Sequence, residues 1–357
     1  MAVTPSNPHD ALFRRVLGQP ANATSQLRQV LPEAVAARMD WKRLELMSCS
    51  FVSEELRSSY CDLAFRTTCD GRDAFVYLLV EHQSCPDRLM PLRMLGYITG
   101  LWNHYRAKNP KAMTLPLVVP IVVHANSTGR PWSSPTEIAD LYDADPEVRQ
   151  ILEPHLPRFQ FLLDDVAAVD FPTLQARKLA QPVQMMFYLL KTDLRDADLE
   201  TVVQKLKPLE EAIRTTASAP DGVDALIPYL TYILLTSEVS VRDLGPYLER
   251  ITPRAKEALM TTGERMRASA YSEGRAEGHS EGHAEGRAEG RAEGQASGIA
   301  IGEANARAQD LTDLLTVKFG PLPAHILGII HVGTTTEQKA WMQRLLTATT
   351  LDEVFAD

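Results

Sequence analysis

The chain has 357 residues, 45% of them apolar, with a formal net charge of −9. That length and composition suit a soluble globular protein of two or three units. They exclude a chain coated in basic residues. The charge is unevenly spread: residues 1–130 hold 15 Lys and Arg against 11 Asp and Glu, while residues 131–357 hold 22 against 35. Phosphate binding needs local cations rather than a basic whole, so the N-terminal part remains open to nucleic acid.

The N-terminus lacks a basic segment followed by an apolar one, so no secretion signal is expected. The run LPLVVPIVV at 115–123 is too short for a membrane span and carries two prolines. Cys49, Cys61, Cys69 and Cys85 match no CxxC or zinc-ribbon spacing. Reduced thiols in a cytoplasmic setting are the expectation.

In chain order, HDALFRRVLG (9–18) reads as a first helix, with Leu12, Phe13, Val16 and Leu17 as its apolar stripe, Asp10 in the cap region and Gly18 at the stop. A second helical stretch spans 24–39, interrupted at Pro32. The period then changes. LELMSCSFV (44–52), CDLAFRTT (61–68) and DAFVYLLVEHQ (73–83) read as strands. Asp70-Gly71 between the last two is a strong hairpin signal. FVYLLV is apolar without alternation, as in a strand buried on both faces. A helix over 87–108 and a buried strand over 115–125 follow. Residues 131–170 look irregular, 172–270 helical, and a small helical unit closes the chain.

The strand FVYLLV runs straight into Glu81-His82-Gln83. Side chains alternate along a strand, so Glu81 and Gln83 share a face. A two-residue turn at Asp70-Gly71 pairs positions whose numbers sum to 141, which sets Asp62 opposite Leu79. Glu81 is then the diagonal neighbour, roughly 7–8 Å away between backbones. Carboxylates that close repel unless a proton or a cation lies between them. Oxygen ligands of this kind suit Mg²⁺ (or Mn²⁺), and the amide of Gln83 can orient a water. From geometry alone, a hairpin ending in two solvated carboxylates is the commoner arrangement, and the pair in isolation is a weak motif.

Asp62 on one strand and Glu81-x-Gln83 on the next, between flanking helices, resemble the PD-(D/E)XK nuclease core. HDALFRRVL, CDLAFR, VYLLVEHQS and PLRMLGYITGLW are similar to segments of the recombination-promoting nucleases, also described as YhgA-like transposases. The resemblance covers about residues 8–135. It implies an α/β (α+β) fold with a restriction-endonuclease-like core, a mixed sheet flanked by helices, and metal-dependent cleavage of DNA. Asp62 and Glu81 would hold the metal, and Gln83 stands where the wider superfamily has a lysine. His9, Asp10, Arg14 and Arg93 are supporting or DNA-binding candidates. Asp10 serves either as a helix cap or as a group reaching the metal, and Arg93 either meets phosphate or lies on a solvated face. His124-Ala125-Asn126 matches in part a Tyr-His-Gly turn of such proteins. A catalytically weak adaptor of the same fold is the alternative.

Residues 273–304 repeat a glycine every fourth position. A four-residue repeat advances 40° per tetrad on an α-helix, so Glu, Gly, Arg/His and Ala form slowly winding stripes. Eight glycines would cost an isolated helix on the order of 8 kcal/mol relative to alanine. A partner approaching along the glycine and alanine stripes would offset this, so the segment is expected to be a self-association helix making a homo-oligomer; a flexible charged linker is the alternative. His279 and His283 are one turn apart, in a repeat slot that arginine fills elsewhere. The expected divisions are a nuclease-like domain at 8–170, a helical domain at 171–270, the repeat helix at 271–308 and a helical unit at 309–357.

Overall fold

The computed structural model describes residues 7–47, 62–81 and 86–356; the side chains at 62, 77–81, 276, 277, 280, 281, 284 and 285 lie outside that description. His82 and Gln83 fall outside the described residues, as do three of the four cysteines. Cys69 is a free thiol.

Two helices open the described chain: α1 (Pro8–Leu17) and α2 (Pro20–Val30), followed by one turn, α3 (Glu33–Ala36). The α1 cap is Asn7, whose side chain accepts from the His9 N–H. Asp10 therefore sits in the first turn and is not the cap. An Asn before Pro at the first helical position explains the earlier start: Asn supplies the acceptor, and Pro has no N–H to satisfy. Gly18 closes the helix, as the sequence indicated.

Strands β1 (Glu45–Met47), β2 (Asp62–Cys69), β3 (Arg72–Glu81), β4 (Leu117–His124) and β5 (Leu162–Asp165) form one sheet in the order β1-β2-β3-β4-β5. The first two pairings are antiparallel and the last two parallel. Asp70 and Gly71 both have positive φ, 47° and 77°. That two-residue turn has the twist the hairpin needs, and glycine adopts it without steric cost. It pairs Cys69 with Arg72 and hence Asp62 with Leu79.

Between β3 and β4 runs α4 (Met90–Lys108). Its Met90, Met94, Tyr97 and Leu101 pack on one sheet face with Ala64, Phe75, Val122 and Phe161. The other face carries Leu63, Phe65, Val76, Ile121 and Val123, which meet Leu12, Phe13, Val16 and Leu17 of α1 and Leu27 of α2. A sheet covered by helices on both faces explains why β3 and β4 read as continuous apolar runs.

β5 corrects the reading of 131–170 as irregular. It is four residues long, Leu-Leu-Asp-Asp, with no β-branched residue to announce it. Its pairing with Ile121–His124 supplies the context that the local sequence lacks. A short helix, α5 (Pro146–Leu152), lies in the connection before it.

The all-helical stretch then comprises α6 (Phe171–Ala176), α7 (Gln181–Lys191), α8 (Leu199–Leu206), α9 (Glu210–Ser218), α10 (Gly222–Thr236) and α11 (Val241–Ile251). Their apolar stripes join the α1 side of the sheet in one core: Met186, Phe187 and Leu190 of α7 and Leu230 and Ile233 of α10 are nearly or fully buried there. The chain divides into a unit ending at Ser269 and a second from Ala270 to Asp357.

Helix α12 runs Pro253–Phe319 and contains the glycine repeat. In the second unit its last turns pack Ala308, Leu311 and Leu315 against α13 (Ala324–Val332), α14 (Thr335–Leu345) and α15 (Leu351–Phe355), around Ile326, Ile330, Trp341 and Val354. Among the described residues no helix is long and apolar enough to cross a membrane.

Candidate active site at the end of the sheet

Backbone register brings four polar positions into one row. Asp62 opens β2 opposite Leu79, and Glu81 closes β3 two residues further on. Glu81 lies beside His124 at the end of β4, and His124 lies beside Asp165 at the end of β5. Alternation along each strand assigns 62, 81, 124 and 165 to the same sheet face, the one that α4 covers. Neighbouring strands are about 4.8 Å apart, so the row crosses four strands at one end of the sheet. Two carboxylate positions roughly 7–8 Å apart between backbones, on one face, are a donor set that fits an oxygen-liking divalent cation.

His124 is fully buried. Its Nδ1 is 2.8 Å from Asp165 Oδ1, and its Nε2 is 3.2 Å from Asn126 Nδ2. The other Asp165 oxygen accepts from the Trp132 backbone N–H at 2.8 Å. The Trp132 indole stands edge-on between His124 and Phe161, with centroid distances of 5.4 and 5.9 Å. Ser134 Oγ donates to the Pro86 carbonyl at 2.9 Å.

The supporting candidates separate. His9 pairs its Nδ1 with the Tyr232 hydroxyl of α10 at 2.8 Å. Burial, reinforced by the Arg195 charge, lowers its pKa to about 4. Burial raises the Asp10 pKa to about 6, opposed by nearby Arg14. Arg14 itself is exposed. Arg93 is not on a solvated face: its side chain is 15% exposed and donates to Asp87 at 3.1 Å. Tyr97 is buried among the α4 packing residues.

A cleft of about 1190 Å³ lies at the opposite, turn end of the hairpin. Arg38, Arg43, Arg66 and Arg72 line it with Glu45, Asp70 and Asp73. Arg66 pairs with Glu45 and Asp73, and Arg38 with Asp70, so much of its positive charge is compensated locally. Sequence reasoning placed His124 and Asn126 in one turn but did not pair His124 with Asn126, Trp132 and Asp165. The acidic pair closing FLLDD was the one available signal.

A mixed sheet clasped by helices, with two acidic positions at one end of an antiparallel pair, is the layout expected of a PD-(D/E)XK-type core. The chain belongs to the family described as "Putative transposase, YhgA-like", whose pattern matches residues 7–219. It is 31% identical over 265 residues to the recombination-promoting nuclease RpnA of Escherichia coli K12, covering 73% of this chain and 84% of the relative. It is 30% identical over 272 residues to the inactive recombination-promoting nuclease-like protein RpnE of the same strain, covering 76% and 85%. It is 29% identical over 276 residues to the recombination-promoting nuclease RpnD of Escherichia coli O157:H7, covering 74% and 95%. No solved structure matches the chain.

Proposed function

We propose that this protein is a cytoplasmic, metal-dependent DNA endonuclease that hydrolyses phosphodiester bonds at the carboxylate end of its sheet. The observation that carries this reading is the register pairing Asp62 with Leu79, one diagonal step from Glu81. Asp62 and Glu81 hold Mg²⁺ or Mn²⁺, and Gln83 orients the attacking water through its amide. When bound, the cation lowers the pKa of water and offsets charge growing on the phosphate. A lysine at position 83 would add a positive charge near the scissile phosphate; glutamine adds only a dipole, so slow turnover is expected. Arg14, Arg93, His9 and Asp10 remain supporting candidates, with Arg14 the most exposed of the four. Plasmid cleavage by wild type and Glu81→Ala, with and without Mg²⁺, tests the reading. Nicking by wild type in Mg²⁺ alone supports it; equal nicking by Glu81→Ala sinks it.

A second reading is a catalytically weak DNA-associated adaptor. Its support is the 30% identity to a relative named inactive, nearly as high as that to RpnA.

Self-association through 273–304 completes the proposal. All eight repeat glycines, Gly274 to Gly302, have open space where a Cβ would stand, so their backbone is accessible for close approach by a second copy. Glutamate and arginine stripes give the two copies opposite charges to pair. Two joined copies bring two active sites, as cutting both strands requires. Light scattering on the chain truncated after residue 270 tests this; an unchanged oligomeric state removes the role.

A further inference from the structure

We propose that His279 and His283 form half of a Zn²⁺-binding site, and that a second copy of this chain completes it with the same two histidines. The proposal rests on the self-association reading of the glycine repeat above and adds a metal to that interface.

The slot these residues occupy reads Arg275, His279, His283, Arg287, Arg291 along the repeat. Arginine stays protonated and has no lone pair to give a metal; a neutral imidazole has one. The exchange therefore falls at two consecutive turns, and residues four apart lie on one helix face. Histidines at that spacing serve as paired zinc ligands on helices. Here both side chains are exposed, with ring centroids 4.6 Å apart and planes tilted by 56°. Two imidazoles on one tetrahedral ion, with Zn–N bonds of about 2.0–2.1 Å, have centroids about 5 Å apart. The pair already stands close to that spacing. Nitrogen donors of this kind suit Zn²⁺, whereas Mg²⁺ prefers oxygen.

Closed zinc sites carry four protein ligands. Among the described residues no group of three or more His, Cys, Asp or Glu stands close enough to share an ion. Arg287 lies beside the pair, its Nε donating to the His283 carbonyl at 3.1 Å, and its charge opposes a cation held by two ligands alone. One copy is thus a weak half-site, and the missing ligands come from the second. Gly278 and Gly282 immediately precede the histidines, and a Cβ at either would meet nothing within 4 Å. Successive residues on a helix are about 100° apart, so the histidines flank any partner packed on the glycines. A two-fold axis along the paired helices sets each histidine level with its counterpart; an axis crossing them at residue 281 also gathers all four. In both cases one ion serves two chains.

The test uses the full chain, Zn²⁺ as the probe and the double variant His279→Gln/His283→Gln. Glutamine is a good helix former, and circular dichroism checks that helicity is retained. Sedimentation over a dilution series, in EDTA and in Zn²⁺, gives the dimer dissociation constant, and calorimetry gives the stoichiometry. Wild type should pair at least tenfold more tightly in Zn²⁺ than in EDTA, and the variant equally in both. Wild type should also take up one more Zn²⁺ per two chains than the variant. Equal uptake by the two proteins, or one extra ion for every single chain, overturns the proposal. The EDTA series separates the two levels. A wild type that pairs in EDTA and ignores Zn²⁺ keeps the glycine-repeat reading and sinks this one; a wild type that stays single in both loses both.

Discussion

His9 Nδ1 and the Tyr232 hydroxyl meet at 2.8 Å across 223 residues of sequence, anchoring the first helix to the helical half of its unit. The next residue, Asp10, responds to pH in the opposite sense. Burial, aided by Arg195, holds His9 near 4, below the 6.5 of the unfolded chain. Unfolding therefore takes up a proton between about pH 6.5 and 4, and His9 removes stability as pH falls through that window, by up to about 3 kcal/mol. Burial holds Asp10 near 6, above its ordinary 3.8. Its carboxyl is protonated in the fold and ionised when unfolded between about pH 4 and 6, so it adds stability as pH falls. The two oppose each other. Asp10→Asn should steepen the loss of melting temperature from pH 6.5 to 4, and His9→Gln should flatten or reverse it. Thermal melts across that range check both.

Asp62→Ala should abolish Mg²⁺-dependent nicking and leave DNA affinity within about twofold of wild type. Gel shift in EDTA measures binding apart from cutting. Under the adaptor reading the variant changes neither property.

Asp164, next to the row of Asp62, Glu81, His124 and Asp165 but on the other sheet face, accepts from Arg177 at 2.9 and 3.0 Å and from Gln26. Asp164 is 6% exposed and Gln26 fully buried. Removing one member of such a pair strands the other, at a cost of roughly 3–5 kcal/mol. Asp164→Ala should destabilise by about that much, and Asp164→Asn by clearly less, since one oxygen still accepts. Denaturant melts of the two variants provide the comparison.

A Cβ added at Gly282, Gly286 or Gly290 would meet nothing within 4 Å. Replacing all three by alanine should raise helix stability by up to about 1 kcal/mol per site. If a second copy packs on the glycine stripe, the same change should lower the oligomeric state while helicity rises. Circular dichroism and light scattering on one sample read both effects.

The sheet is legible where local chemistry fixes it. Asp70-Gly71 dictates a two-residue turn, and that turn alone determines which residue faces Asp62. Apolar runs mark β3 and β4 because helices bury both faces. β5 is not legible: Leu162–Asp165 is too short to show a period, and its strand character comes from Ile121–His124, forty residues earlier. Without β5 the bond between His124 and Asp165 has no frame. The α1 cap is misleading in the sequence because Asp10 suits a cap by type, whereas Asn7 occupies the place.

Among the described residues the sheet's outer strands are brief: β1 has three residues and β5 four. Long exposed edges invite other chains to add strands and aggregate. Here the ten-residue β3 is sheltered between neighbours, and among the described residues each rim is only three or four residues long. Growth by strand addition is thereby discouraged, and fibrous aggregation through this sheet should be slow even at high concentration.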